Sequence, residues 1–345
     1  MLDPTLPIAL YAEATAGTLN AKMSEGILRY GRNPVVAVID STQAGKRMRD
    51  LSPLDSDVPL VATLAEAQAL GAKVLVLGTA PSGGRVPPEW MAVLHAAVAG
   101  GMSIVNGMHD RLEPVLGAGL HAGQWIWDLR VPQGEPPPIA KARAAALSNR
   151  RVLMVGTDMA IGKMTAGLEL TRSLQDMGRD AAFLATGQTG IAITGRGIPL
   201  DAIRVDHAAG AVERMVLEAA AHEIVVVEGQ GSLLHPGSTA TLPLMRGSCC
   251  THMVLCHRAG MQTLDELTEI RVPPLREVIA LNEAVAAAAG ALTPAKVVAV
   301  ALNTARMSAA EAGDAVRRVE DETGLPAADP VRDGAGRLAE AVTGA

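Results

Sequence analysis

Aromatic residues are almost missing from this chain: one Phe, two Tyr and three Trp in 345 residues, or 2%. Its cores must therefore be built from Ala, Val, Leu, Ile and Met. Recognition of nucleic acid by stacking bases on aromatic platforms is disfavoured for the same reason. Basic excess is lacking too. The formal charge is −6, so no cationic footprint exists for a phosphate backbone and nucleic acid is not expected as a partner. No apolar run approaches the roughly 18 residues of a membrane span, and no membrane partner is expected. The N-terminal stretch carries Asp3 and no basic segment, unlike a secretory signal. Three cysteines, two of them adjacent, do not make a disulfide framework. The expectation is a soluble, cytoplasmic homo-oligomer that handles small-molecule substrates.

One stretch organises what is present. Arg151 to Leu170 reads RVLMVGTDMAIGKMTAGLEL. The apolar run Val152 to Val155 is followed by Gly156, Thr157, Asp158, Met159, Ala160, Ile161, Gly162, Lys163, Met164 and Thr165, and then by a helix-forming segment. Strand, glycine-bounded loop and helix in that order make a phosphate-binding loop, in which backbone N–H groups and the helix N-terminus converge on an anion and Lys163 adds a positive charge. The usual pattern is G-x-x-x-x-G-K-[ST]. Here the opening glycine sits one residue early, and Met164 stands where a hydroxyl residue would ligate Mg²⁺. Thr165, one place on, can still hydrogen-bond a phosphate oxygen. The pattern predicts phosphate binding with no metal ligation. The bland alternative is an ordinary glycine turn after a strand.

Strands alternate with helices on both sides of this loop, which predicts an α/β fold. In the first half, runs beginning at Ile8, Val35, Lys73 and Ser103 read as strands. Thr63 and Glu66 form a capping box, residues 79–85 a glycine-rich loop, and Asp110 to Glu113 a helix cap. Residues 1–139 are expected to form a Rossmann-like parallel sheet, and residues 140–345 a P-loop NTPase-like domain. The proline-rich stretch Gln133 to Pro138 is the linker between them. Strands are expected in the second half at 152–155, 181–185, 223–227, 252–256 and 297–302. Helices are expected at about 163–177, 208–221, 275–289 and 308–322, the last opened by the capping box Ser308 to Glu311.

Strand ends carry the remaining candidates. After Ile224 to Val227 comes Glu228-Gly229-Gln230-Gly231, a carboxylate followed by glycines where such sheets meet ligands. Glu228 would hold Mg²⁺ in a nucleotide enzyme or act as general base in an acyl transferase; otherwise it is a solvated turn residue. Thr186 to Gly190, including Thr189, offers glycines and hydroxyls to a ligand, or is a flexible connection. Asp206 and His207 are catalytic candidates: Asp206 otherwise suits a helix N-cap, and His207 beside it could be a neutral base. Cys249, Cys250, His252 and Cys256 have the wrong spacing for zinc and read as structural. Arg258 could clamp a carboxylate or phosphate. Asn303, ending the last long strand, could face a base or polar group.

GTDMAIGK and EGQGSLLHP, with ALN at the last strand, resemble the P-loop fold of dethiobiotin synthetase. Over both halves, TAPSGGRVPPEW, NGMHDRL, GTDMAIGKMT, VDHAAGAVE and EGQGSLLHP resemble a bacterial family long filed as a domain of unknown function. Some of its members are D-glutamate N-acetyltransferases. The resemblance implies a Rossmann-like domain followed by a P-loop domain, with acetyl-CoA as co-substrate. It also makes Met164 intelligible, because thioester transfer hydrolyses no phosphate. Beyond the family, the residues suggest roles: Glu228 or His207 as base, and Arg196 or Arg258 on substrate carboxylates. The competing reading is a Mg-ATP-dependent kinase or carboxylate-activating ligase. A third is a nucleotide-binding regulator without catalysis.

Overall fold

Short apolar runs with few aromatics pack as two parallel sheets in the computed structural model, which describes residues 2–79 and 82–344. Ala80 and Pro81 of the glycine-rich loop lie outside the described residues. The first sheet comprises β1 (Ile8–Tyr11), β2 (Val35–Ile39), β3 (Leu60–Val61), β4 (Val74–Leu77), β5 (Ser103–Asn106) and β6 (Ile126–Asp128). Their order is β3-β2-β1-β4-β5-β6, all pairs parallel. Helices α1 (Lys22–Tyr30), α2 (Leu64–Ala69), α3 (Met91–Ala99) and α4 (Glu113–Leu116) connect them. The expected capping box opens α2, with Thr63 accepting from the Glu66 amide at 3.2 Å.

The second sheet comprises β7 (Arg150–Gly156), β8 (Ala181–Leu184), β9 (Ile224–Val227), β10 (His252–Arg258), β11 (Lys296–Asn303) and β12 (Ala327–Ala328). It runs β12-β11-β10-β7-β9-β8, also all parallel. Helices α5 (Lys163–Asp176), α7 (Val205–Glu218), α8 (Thr241–Ser248), α9 (Leu275–Ala287), α10 (Ala309–Thr323) and α11 (Gly336–Thr343) belong to this half, and α6 (Gln188–Thr194) follows β8 in the chain. Strand order reverses at β7, flanked by β9 and β10, so the loop after β7 lies at the switch point where open sheets bind ligands. Among the described residues no helix is long and apolar enough to cross a membrane.

The chain divides into two compact units, one reaching to Gln133 and including Gln188–Ala202, the other being Gly134–Gly187 with Ile203 onward. Segment 188–202 thus leaves the P-loop sheet after β8 and is held in the first unit. There α6 packs on α1, and Asp201 pairs with Arg130. The proline-rich stretch is no free linker. The Pro138 carbonyl lies against α7, where a Cβ on Gly210 would fall 1.6 Å from it. Buried Glu213 of α7 takes the amides of Lys141 and Arg143 at 3.1 and 2.6 Å. Asp110 does not cap a helix either. It pairs with Arg85, and Asp128 on β6 takes the amides of Leu112 and Glu113 instead.

Candidate active site

Strand β7 ends at Gly156, and the loop reaches α5 through two left-handed residues, Ala160 at φ 51° and Gly162 at φ 110°. Glycine adopts the second without strain. This turn frees backbone donors: none of the amides of Ala160, Ile161 and Gly162 is taken by an acceptor among the described residues. They precede the N-terminus of α5, whose first-turn amides also lack helical partners. The loop is braced from several sides. Thr157 donates its amide to the Cys256 carbonyl at 3.1 Å, and its hydroxyl meets His257 Nδ1 at 3.1 Å. Asp158 takes the Met159 amide on one carboxylate oxygen and the Asp265 amide on the other. Asn303, at the end of β11, donates Nδ2 to the Ile161 carbonyl at 3.3 Å.

Lys163 is 5% exposed and donates Nζ to the Asp158 carbonyl at 2.6 Å. Burial lowers its pKa to about 8, while Cys256, Asp158 and Glu228 oppose that fall. An anion on the loop therefore meets a lysine that gains from keeping its proton. Met164 and Thr165 follow in the first turn of α5, both half-buried.

Glu228 directly follows β9 and is 3% exposed. Its Oε2 accepts the amides of Thr186 and Gly187 at 2.7 and 3.1 Å, and Oε1 accepts no hydrogen bond from a described residue. Burial pushes its pKa up to about 7, against the lowering effects of those two amides and of Lys163. Gly229 brings the backbone close to β7. A Cβ there would fall 1.7 Å from the Met154 carbonyl and 2.9 Å from the Lys163 side chain. A lysine and a carboxylate far apart in sequence are thus brought beside one another at the switch point.

Other candidates fall elsewhere. Helix α7 begins at Val205, earlier than its apolar pattern suggested, so its N-cap position is Arg204. Asp206 is an exposed first-turn residue that favours the helix dipole rather than capping it. His207 donates Nδ1 to the Pro137 carbonyl at 2.5 Å, which ties it to the proline-rich stretch. Thr189 lies in the first turn of α6 and Arg196 is exposed beyond it, both in the segment held by the first unit. Arg258 is committed to Asp265 at 2.7 Å, so it steadies the Asp158 brace rather than standing free as a clamp. The Cys249, Cys250 and Cys256 thiols are buried and unpaired by disulfide. Thr186 and Gly187, read from the sequence as approaching a ligand, instead hold Glu228 with their amides, and Asp265, which holds Asp158, is the residue the motifs did not single out.

Two family models match in tandem. The Rossmann-like domain DUF1611_N covers residues 41–132 and the P-loop domain DUF1611_C covers residues 138–339, both described as domains of unknown function. The chain belongs to the DUF1611 family. It is 39% identical over 284 residues to a D-glutamate N-acetyltransferase of Tritonibacter scottomollicae, covering 81% of this chain and 84% of that protein. A D-glutamate N-acetyltransferase of a Pseudoalteromonas species is 33% identical over 276 residues, covering 79% and 82%. The crystal structure of a DUF1611 family protein from Anabaena variabilis superposes with a TM-score of 0.96 at 44% identity, covering 99% of this chain and 100% of that one. The expected order of a Rossmann-like and then a P-loop domain is therefore the family's own.

Proposed function

We propose that this protein is an N-acetyltransferase that moves acetyl from acetyl-CoA to the amino group of D-glutamate. The observation that carries the reading is the buried Glu228, with one oxygen unpartnered and a pKa near 7, beside the phosphate-loop lysine. Relatives that share about four-fifths of the chain supply the substrate. The loop suits the co-substrate, because unpartnered amides and a buried lysine match a diphosphate. Acetyl-CoA supplies an electrophilic thioester carbonyl and that diphosphate handle. Lys163 and the amides of Ala160 to Gly162 hold the handle. With the diphosphate on Lys163, the pantetheine arm must fold back to bring the thioester to Glu228 beside that lysine. Glu228, ionised over half or more of its population above pH 7, takes a proton from the substrate ammonium at Oε1. The amine attacks the thioester carbonyl with its lone pair, and the C–S bond breaks to release CoA, whose thiolate takes up a proton. Thr186 and Gly187 keep the carboxylate oriented by holding Oε2.

Incubation of the purified protein with acetyl-CoA and D- or L-glutamate, followed by mass spectrometry, tests the reading. The expected product is N-acetylated glutamate from the D-isomer, with one free thiol per acetyl moved. Absence of acetyl transfer, together with phosphate release from Mg-ATP in the presence of a carboxylate, would replace it with an ATP-dependent ligase.

A further inference from the structure

The first sheet has a strand-end crevice of its own. Its order reverses between β1 and β4, and a cavity of 590 Å³ opens there, lined wholly by residues of the first unit. Tyr11, the last residue of β1, and Glu13, in the turn that follows, both line it. The short turn Pro88–Trp90 adds Glu89 and Trp90, whose ring meets Tyr11 edge-to-face at 5.0 Å. No lysine, arginine or histidine is among the described lining residues. The turn after β1, AEATAGT, also lacks the glycine spacing that brings a pyrophosphate to a helix N-terminus. Strand order here is Rossmann-like, but the chemistry repels phosphates and carboxylates.

The acidic groups are not equivalent. Glu13 is spent on the Ser41 amide and hydroxyl. Asp40, buried nearby, holds Ala16 and Thr42. Glu89 makes no hydrogen bond or ion pair among the described residues, and no group of three or more His, Cys, Asp or Glu is placed there to hold a metal ion. Tyr11 is 5% exposed as a residue; its hydroxyl makes no hydrogen bond among the described residues and, not being one of the fully buried unpaired polar atoms, opens to the crevice. Burial and the charges of Glu13, Glu89 and Asp40 push its pKa up to about 12, so the hydroxyl stays protonated in a negative field.

We propose that this crevice binds a protonated aliphatic amine that carries no anionic group, its ammonium held by the Glu89 carboxylate and the Tyr11 hydroxyl and its alkyl chain lying beside Trp90. The juxtaposition of an exposed, unpartnered carboxylate, the crevice-facing hydroxyl of a buried tyrosine and an aromatic wall suits such a cation and nothing phosphorylated.

Calorimetry on the full-length protein tests this with putrescine and agmatine as probes and 1,4-butanediol as the uncharged control. An amine should bind at least tenfold more tightly than the diol. Glu89→Gln, an exposed substitution, should weaken that binding tenfold or more, and Tyr11→Phe severalfold. CoA binding by Glu89→Gln serves as the folding control and should be unchanged. No heat from either amine at millimolar concentration, equal affinity for the diol, or an amine affinity untouched by Glu89→Gln would each overturn the proposal.

Discussion

Replacing Glu228 with Gln separates catalysis from folding at one atom. The amide oxygen of Gln can still accept from Thr186 and Gly187, as Oε2 does at 2.7 and 3.1 Å, so the local backbone keeps its partners. What is lost is a proton acceptor. General-base contributions are about 10²- to 10⁴-fold, and kcat/KM for acetyl transfer should fall within that range while the KM for acetyl-CoA changes little. The wild-type profile of kcat/KM should rise with pH and level off above about 7, where the carboxyl ionises. Stability gives a second readout with a definite sign. The folded pKa is raised from 4.5 to about 7, so the folded state favours the protonated form. The stabilisation is fully present below pH 4.5 and is lost as pH rises through 7. At about 1.4 kcal/mol per tenfold, the wild type should lose up to roughly 3 kcal/mol relative to the Gln variant across that window. Urea unfolding of both proteins from pH 4.5 to 8 measures it. A stability difference that stays flat with pH would refute the buried, raised-pKa carboxylate, and full activity in the variant would remove Glu228 as the base.

Other consequences follow from the same geometry. Lys163→Ala removes a charge-assisted contact worth roughly 1.5–3 kcal/mol, so CoA should bind ten- to a hundredfold more weakly by calorimetry; unchanged affinity would take the loop out of the site. EDTA should leave acetyl transfer intact, and Met164→Thr should raise Mg-ATP affinity without improving transfer, whereas activity lost to EDTA and recovered with Mg²⁺ would make Glu228 a metal ligand. Gly229→Ala should lower the melting temperature by several degrees or prevent folding, because its Cβ would meet the Met154 carbonyl. Gly336→Ala, with nothing within 4 Å, should be neutral or slightly stabilising. Limited proteolysis by a nonspecific protease should cut at 131–134 before 135–143, since Arg214, Glu213 and His207 hold the latter stretch to α7.

Much of this fold was legible in one dimension. The runs that became β7, β8, β9, β10 and β11 carry their own apolar signal, and the capping boxes at Thr63 and Ser308 are local hydrogen-bond patterns spanning three residues. The phosphate loop is likewise contiguous, so its glycines and lysine announce its backbone geometry without reference to the rest of the chain. Short edge strands such as β3 and β12, at two residues each, carry too little pattern to be seen. Helix α6 was hidden for another reason, since glycine and hydroxyl residues have weak helix propensity and only packing in the first unit decides for them. The site depended on tertiary structure in the same way. Glu228 could be read as a solvated turn, a metal ligand or a base; burial and the amides of Thr186 and Gly187 chose its environment. Arg258 and His207 looked available by residue type, but Asp265 and the Pro137 carbonyl occupy them. A side chain's partners are set by which strand ends meet, and strand order is a property of the whole sheet. The sequence therefore determined which chemical groups were present and which local turns would present them. Only the folded sheet decided which of those groups would lose water, find a neighbour and change its proton affinity.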